Sequence, residues 1–224
     1  MVLLFIRSFV LALSALLPVI NPLGSALMFL EVVGFAPADE FKRLARKVAF
    51  RTILFLLIIE LTGAALLNFF DISLPVVQLA GGLVLAAMGW QLLNNEDRDQ
   101  DKDGDATPVV TQHTSTDPLE NKIFYPLTFP LTAGPGCIVV TVTLGAHASF
   151  HSITENIIAH LGIALAIVAS GFTVLLSYAY APKITQKIAP QTVRGILRVI
   201  AFVLLCIGVQ IAWKGLQAMI KGMA

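Results

Sequence analysis

Two short runs rich in proline, glycine and polar residues hold most of the chemistry this chain could perform. They are Pro18-Val19-Ile20-Asn21-Pro22-Leu23-Gly24 and Pro130-Leu131-Thr132-Ala133-Gly134-Pro135-Gly136, each embedded in apolar sequence. Inside a helix, proline removes the N–H that would bond the carbonyl four residues back, and its ring collides there. Pro18 and Pro22 would release the carbonyls of Ser14 and Pro18, and Pro130 and Pro135 those of Pro126 and Leu131. Residues before proline, here Asn21 and Gly134, are pushed out of α geometry. Gly24, Gly134 and Gly136 let the chain unwind without a side-chain penalty. A helix broken in this way offers N–H groups where one half begins and carbonyls where the other ends. That pair suits a small zwitterion, with carboxylate at the N–H groups and ammonium at the carbonyls. Asn21, Pro22, Gly24, Thr132, Ala133, Gly134, Pro135 and Gly136 are the candidate substrate-binding residues.

Glu60 is a carboxylate in the middle of an apolar stretch, an expensive placement that suggests a proton or cation coupling site. A structural role, bonded to a neighbouring helix or to cavity water, is the competing reading. Thr128, Thr141, Thr143 and Ser25 are hydroxyls near the breaks, where such groups usually bond helix carbonyls. Gln91 and Gln210 read as ties at helix ends. Asp99-Gln100-Asp101-Lys102-Asp103-Gly104-Asp105 opens like a calcium loop, but the twelfth position is Val110 where a bidentate Glu is needed, so it reads as a solvated linker. His113, His147, His151 and His160 lack ligand spacing, and Cys137 and Cys206 sit in apolar runs as small fillers. No nucleophile has a base beside it and no phosphate-cradling loop occurs. An enzyme is not indicated, and neither a cofactor nor a metal is expected.

These groups must be positioned by membrane helices. Of 224 residues, 57% are apolar and 13% charged, and the mean hydropathy is +0.83. A soluble domain is roughly 45–50% apolar and 25% charged, so a soluble enzyme, a nucleic-acid binder and a disordered chain are excluded. A span needs about 20 apolar residues. Six stretches qualify: Ser8–Leu30, Thr52–Phe70, Leu74–Leu93, Ile123–Ala146, Ile157–Tyr180 and Val199–Ile220. Arg7 before an apolar run invites a signal-peptide reading of Met1–Ala15, but the run continues past it. Three of the loops collect Lys42, Arg43, Arg46, Lys47, Arg51, then Arg98, Lys102, Lys122, then Lys183, Lys187, Arg194 and Arg198. Only Arg7, Lys214 and Lys221 fall on the other side. The positive-inside rule puts those loops in the cytoplasm and both termini outside, periplasmic or extracellular. In Pro37–Arg51, Phe41, Leu44, Ala45 and Val48 form an apolar stripe, and the segment is expected to lie at the inner interface as an anchor and to run into the second span.

The polar stretch Asn94–Asn121 divides the spans three and three. Residues 1–93 would form one repeat, 94–122 an acidic cytoplasmic linker and 123–224 a second repeat entering from the opposite side. Met88-Gly89-Trp90-Gln91 and Ile207-Gly208-Val209-Gln210 occupy corresponding places, and both interruptions fall in the first span of a half. Paired interruptions of this kind are the sequence pointer to a transporter binding site. The expected fold is all-α and polytopic, with six transmembrane helices as two inverted three-helix repeats and helices one and four broken.

The chain resembles the MarC family of bacterial and archaeal inner-membrane proteins, which includes the SnatA-type transporters. The resemblance rests on Asn21-Pro22-Leu23-Gly24, on Asp71-Ile72-Ser73-Leu74-Pro75 leading to Ala80-Gly81-Gly82, and on Pro126 through Gly136. Arg198 followed by Gly208-Val209-Gln210 completes it. It departs at Gln78, where the family often has Arg, and at Ala201, where a Gly is usual. The resemblance implies a multi-pass protein of the bacterial inner membrane and transport of small neutral amino acids such as glycine and alanine. The expected partners are that amino acid, the lipid bilayer and a coupling proton or cation, with a homo-oligomer left open and no nucleic acid. The alternatives are an exporter of amino acids or related metabolites and a non-transporting membrane scaffold or regulator.

Overall fold

The computed structural model describes residues 1–34, 37–98, 123–148, 152–187 and 190–223, and those residues are helical throughout apart from short turns. Seven α-helices follow in order: α1 (Val2–Ile20), α2 (Pro22–Val33), α3 (Ala38–Phe69), α4 (Leu74–Arg98), α5 (Pro135–His147), α6 (Ile153–Lys187) and α7 (Pro190–Met223). A wide-wound segment, Ile123–Thr132, precedes α5. Five stretches are long and apolar enough to cross a membrane: Val2–Leu30, Ala38–Phe69, Leu74–Asn94, Ile153–Lys183 and Arg198–Lys221. Ile123–Thr132 with α5 makes a sixth if the two are one span bent by 68°. The apolar windows therefore sit where the sequence puts them, and the helices overrun them into the polar ends. The calcium-loop mimic, residues 99–105, lies outside the described residues, as do His113 and His151.

Exposed apolar side chains such as Leu3, Leu54, Leu61, Phe172, Val199 and Phe202 coat the outside of the bundle. In water such a surface would associate; against lipid tails it is the expected covering. The core lies between α1, α2, α3, α5 and α6, centred on Leu16, Phe29, Leu44, Leu56, Leu127, Ile167 and Tyr178.

The amphipathic stripe of Pro37–Arg51 corrects one expectation. Phe41, Leu44, Ala45 and Val48 are buried in the protein, at 3% exposure or less, not laid on lipid. Phe41 meets Phe29 of α2 edge-on, with ring centroids 5.9 Å apart. Lys42, Arg43 and Arg46 are exposed on the opposite face. The segment is the first half of a continuous 32-residue helix, started at Pro37 with Asp39 and Glu40 in its first turn, where acids favour the helix dipole. Its stripe has the same periodicity for either partner, so the sequence could not choose between bundle and bilayer.

The largest interface joins α4 and α7, and small residues make it. A methyl group on Gly82 would come within 2.6 Å of the Gly208 carbonyl, and one on Gly89 within 2.6 Å of the Leu205 nitrogen. One on Gly208 would lie 2.8 Å from the Gly82 carbonyl, and one on Gly215 2.6 Å from the Pro75 carbonyl. Rising numbers on α4 meet falling numbers on α7, so the helices run antiparallel with their backbones in contact, as small-residue seams allow. Ala201, whose carbonyl faces Gly89, packs closely despite its methyl because the opposite helix supplies the notch. Gln78 is buried in the same seam beside Gly215.

Asn21 sets the break between α1 and α2. It has φ 47° and ψ 64°, closes α1 by donating its N–H to the Leu17 carbonyl at 3.0 Å, and opens α2. Its side-chain oxygen accepts from the Gly24 N–H at 3.1 Å, and a side chain on Gly24 would overlap the Asn21 amide. Asparagine tolerates this left-handed conformation and caps well, whereas alanine does neither. Asn21→Ala is expected to lower stability by about 2 kcal/mol, roughly one for the cap and one for the backbone. Asn21→Gly should lose only a few tenths. Thermal unfolding of the two variants in detergent checks the difference.

Candidate functional site

The second break is built differently from the first. Tyr125 (φ −117°, ψ 123°) and Phe129 (φ −125°, ψ 129°) are extended, each one residue before a proline, so the chain is never a regular α-helix here. Pro126-Leu127-Thr128-Phe129 and Pro130-Leu131-Thr132-Ala133 repeat one motif. The Thr128 hydroxyl donates to the Ile123 carbonyl at 2.7 Å and the Thr132 hydroxyl to the Leu127 carbonyl at 2.6 Å. The Ala133 N–H donates to the Thr128 carbonyl at 2.8 Å. Threonine thus supplies the donors that proline removes, but to carbonyls five residues back. The expectation that Pro126 and Leu131 would be the exposed carbonyls assumed α spacing, which this segment does not have.

After Gly134, α5 begins with Pro135 at its first position, as α2 begins with Pro22 after Asn21. The two breaks touch. A methyl group on Gly136 would overlap the Leu85 side chain and lie 3.2 Å from Val19. A cavity of about 30 Å³ lies at the junction, lined by Val19, Leu85, Met88, Pro130, Leu131, Thr132, Gly134, Gly136, Cys137 and Leu204. That is room for one or two waters and too little for an amino acid. Of the predicted residues, Thr132, Gly134 and Gly136 line the cavity. Asn21, Pro22, Gly24, Ala133 and Pro135 do not: they shape the breaks from behind, and the Asn21 side-chain oxygen is engaged with Gly24.

Tyr178 on α6 is the residue that sequence reasoning missed. It is fully buried, stacked on Phe29 at 4.5 Å, and its hydroxyl lies 2.7 Å from Thr132 Oγ1. Because Thr132 donates to Leu127, the phenol is the donor in this pair. The Ser25 hydroxyl, which donates to the Asn21 carbonyl at 2.9 Å, is the phenol's other neighbour. With a single proton the phenol donates to Thr132 or to Ser25, and so it stands between the two breaks. The available signal was a tyrosine inside an apolar span, since a buried phenol needs a partner. Thr132→Val should leave the Leu127 carbonyl without its donor and confine the Tyr178 proton to Ser25. The expected cost is about 1–3 kcal/mol, with Thr132→Ser near wild type, as read by thermal unfolding.

Glu60 is 3% exposed on α3 and stands away from the cavity. Its Oε1 is in direct contact with Nδ1 of His160 on α6. Gln91 and Gln210 are exposed. Among the described residues, no cluster of three or more His, Cys, Asp or Glu side chains could hold a metal.

Residues 6–220 match the family described as MarC family integral membrane protein. The chain belongs to the MarC family. Two relatives are named inner membrane protein MarC. That of Escherichia coli O1:K1 is 25% identical over 211 residues, covering 94% of this chain and 95% of the relative. That of Salmonella typhimurium (strain LT2) is 27% identical over 214 residues, with the same coverage. No solved structure matches the chain. With several membrane-crossing helices, this MarC-family chain is a multi-pass inner-membrane protein, and the family expected from the proline and glycine motifs is the family found.

Proposed function

We propose that this MarC-family protein is an alternating-access transporter of small neutral amino acids of the glycine and alanine class, with the substrate held between the broken helices. One observation carries the reading. The second interruption, together with Val19 beside the first, lines one cavity, and at each interruption a half-helix starts with proline behind its N-cap. The α5 N-terminus, which borders the cavity at Gly134, Gly136 and Cys137, favours a carboxylate, and irregular backbone in a membrane belongs where it lines a cavity. Thr132, Gly134 and Gly136 contact the substrate, and the small cavity opens only for a small ligand.

The packing supports two inverted three-helix halves, residues 1–93 and 123–224, with 94–122 as the linker. In such a duplication α3 corresponds to α6 and α4 to α7, and each of these pairs packs together. The basic loops then face the cytoplasm and both termini the periplasm. No catalytic chemistry is assigned to the protein.

The test is counterflow of labelled glycine or alanine in proteoliposomes of the purified protein. Accumulation of label above protein-free liposomes, competed by unlabelled glycine and alanine, is the expected result. No counterflow, together with no ligand-dependent rise in thermal stability, would instead favour a scaffold or regulator.

A further inference from the structure

We propose that Glu60 and His160 together form a proton-binding site, and that its occupancy is transmitted along α6 to the helix breaks. The coupling part rests on the transporter reading above; the proton site stands on its own geometry. Glu60 and His160 come from α3 and α6, one hundred residues apart in sequence, and their side chains meet directly. The Glu60 side chain is 1% exposed and that of His160 33% exposed. His160 faces a crevice of about 370 Å³, open to the outside of the bundle, whose walls apart from the pair are Asn156 and apolar groups such as Leu57, Leu61, Ile157 and Leu161.

The pair has two relevant charge states. With neutral His160 donating its Nδ1–H to the Glu60 carboxylate, the pair carries one negative charge. With one more proton, held as imidazolium–carboxylate or as neutral imidazole–carboxylic acid, it carries none. A net charge in apolar surroundings is costly and a neutral hydrogen-bonded pair much less so. The imidazole, 33% exposed, is the more accessible member of the pair and the one that exchanges the proton, which it shares with the buried carboxylate through Nδ1.

The surroundings favour a proton over a metal cation. From α5, Gly145 approaches so closely that a methyl group there would lie 3.0 Å from the Glu60 carbonyl and 4.0 Å from Oε1. From α6, Asn156 and Ala164 flank His160 one turn to either side. Among the described residues lining the crevice, Glu60 and His160 are the titratable groups. Calcium and magnesium need about six or more oxygen ligands, and here an imidazole already occupies one oxygen of the one carboxylate among the described residues lining the crevice.

α6 supplies the link. His160 and Tyr178 are on the same helix with no proline between them, about 27 Å apart at 1.5 Å per residue. Tyr178 bonds Thr132 at the cavity. A change in how α6 sits against α3 is therefore felt at the breaks.

The decisive measurement is an infrared pH titration of the purified, liposome-embedded protein, paired with glycine counterflow and with glycine uptake driven by an imposed pH gradient. The wild type should show a carboxylic-acid band or an imidazolium signal appearing as pH falls. Glu60→Gln should lose the band, His160→Gln should move the pH at which it appears, and Glu60→Asp should retain a titration. Gradient-driven accumulation should fall about tenfold or more in Glu60→Gln, and its counterflow should become independent of pH. Absence of a Glu60-dependent or His160-dependent signal overturns the proton site. Gradient-driven accumulation at the wild-type level in a folded Glu60→Gln or His160→Gln protein overturns the coupling. A titrating pair in a protein without counterflow would retain the proton site and refute the transporter reading instead.

Discussion

Gly208→Leu is expected to leave little folded protein. Leucine at this position would project into the α4 backbone, where even a methyl group lies 2.8 Å from the Gly82 carbonyl and from the Ala86 Cα. Side chains can rotate away from an intruder; a helix backbone in the largest interface of the molecule cannot. Overpacking commonly costs about 1–3 kcal/mol, and backbone overlap puts this substitution at or above the top of that range. Gly82→Leu should behave the same way, because its methyl would meet Gly208 and Ala212 backbone. Gly195→Ala is the matched control, as nothing lies within 4 Å of the added carbon. Fluorescence-detected size exclusion and thermal unfolding in detergent separate the three. Gly208→Leu with wild-type thermal stability would contradict the antiparallel seam.

Gly134→Leu should have the largest effect on transport, with a smaller effect on folding than Gly208→Leu. Gly134 has φ −73° and ψ 179°, an extended conformation open to any residue. An added methyl would stand 3.1 Å from the Pro130 carbonyl and 3.7 Å from Met88, so alanine fits with slight adjustment. Leucine overfills the cavity of about 30 Å³, at a cost of about 1–3 kcal/mol in packing, and blocks the place where the two breaks meet. Counterflow is expected to drop by about a hundredfold or more, which corresponds to about 2.7 kcal/mol of lost binding or closure. Membrane insertion and the elution profile should remain normal, and Gly134→Ala should fall in between. Normal counterflow in Gly134→Leu would remove the cavity from the transport path.

The spans were legible because hydropathy over about 20 residues has a single physical cause. The identity of the breaks was legible for a similar reason: proline cannot donate and glycine has no side chain, wherever they occur. What happened at the breaks was less legible. The carbonyls relieved by Thr128 and Thr132 lie five residues back, and nothing in local composition distinguishes that winding from a kinked α-helix. A polar group inside a break can bind a ligand or cap a helix, and for Asn21 the second use, its oxygen on the Gly24 N–H, becomes visible only in the fold. Glu60 stood out at once, whereas its partner His160 did not, because their contact spans one hundred residues and two helices. Tyr178 was hidden for the same reason. Pairings across the fold leave no periodicity in the chain.

The glycine seam between α4 and α7 has a consequence for how the molecule can move. Gly82 and Gly89 are seven residues apart on one helix, as are Ala201, Gly208 and Gly215 on the other. Each notch receives the opposing backbone, so the two helices interlock like racks with teeth about 10.5 Å apart. A slip of one or two residues would drive side chains into main chain, and the next matching alignment is two full turns away. α4 and α7 must therefore travel as one piece, and any opening of the cavity that Leu85, Met88 and Leu204 help to wall has to come from the other helices swinging away from them.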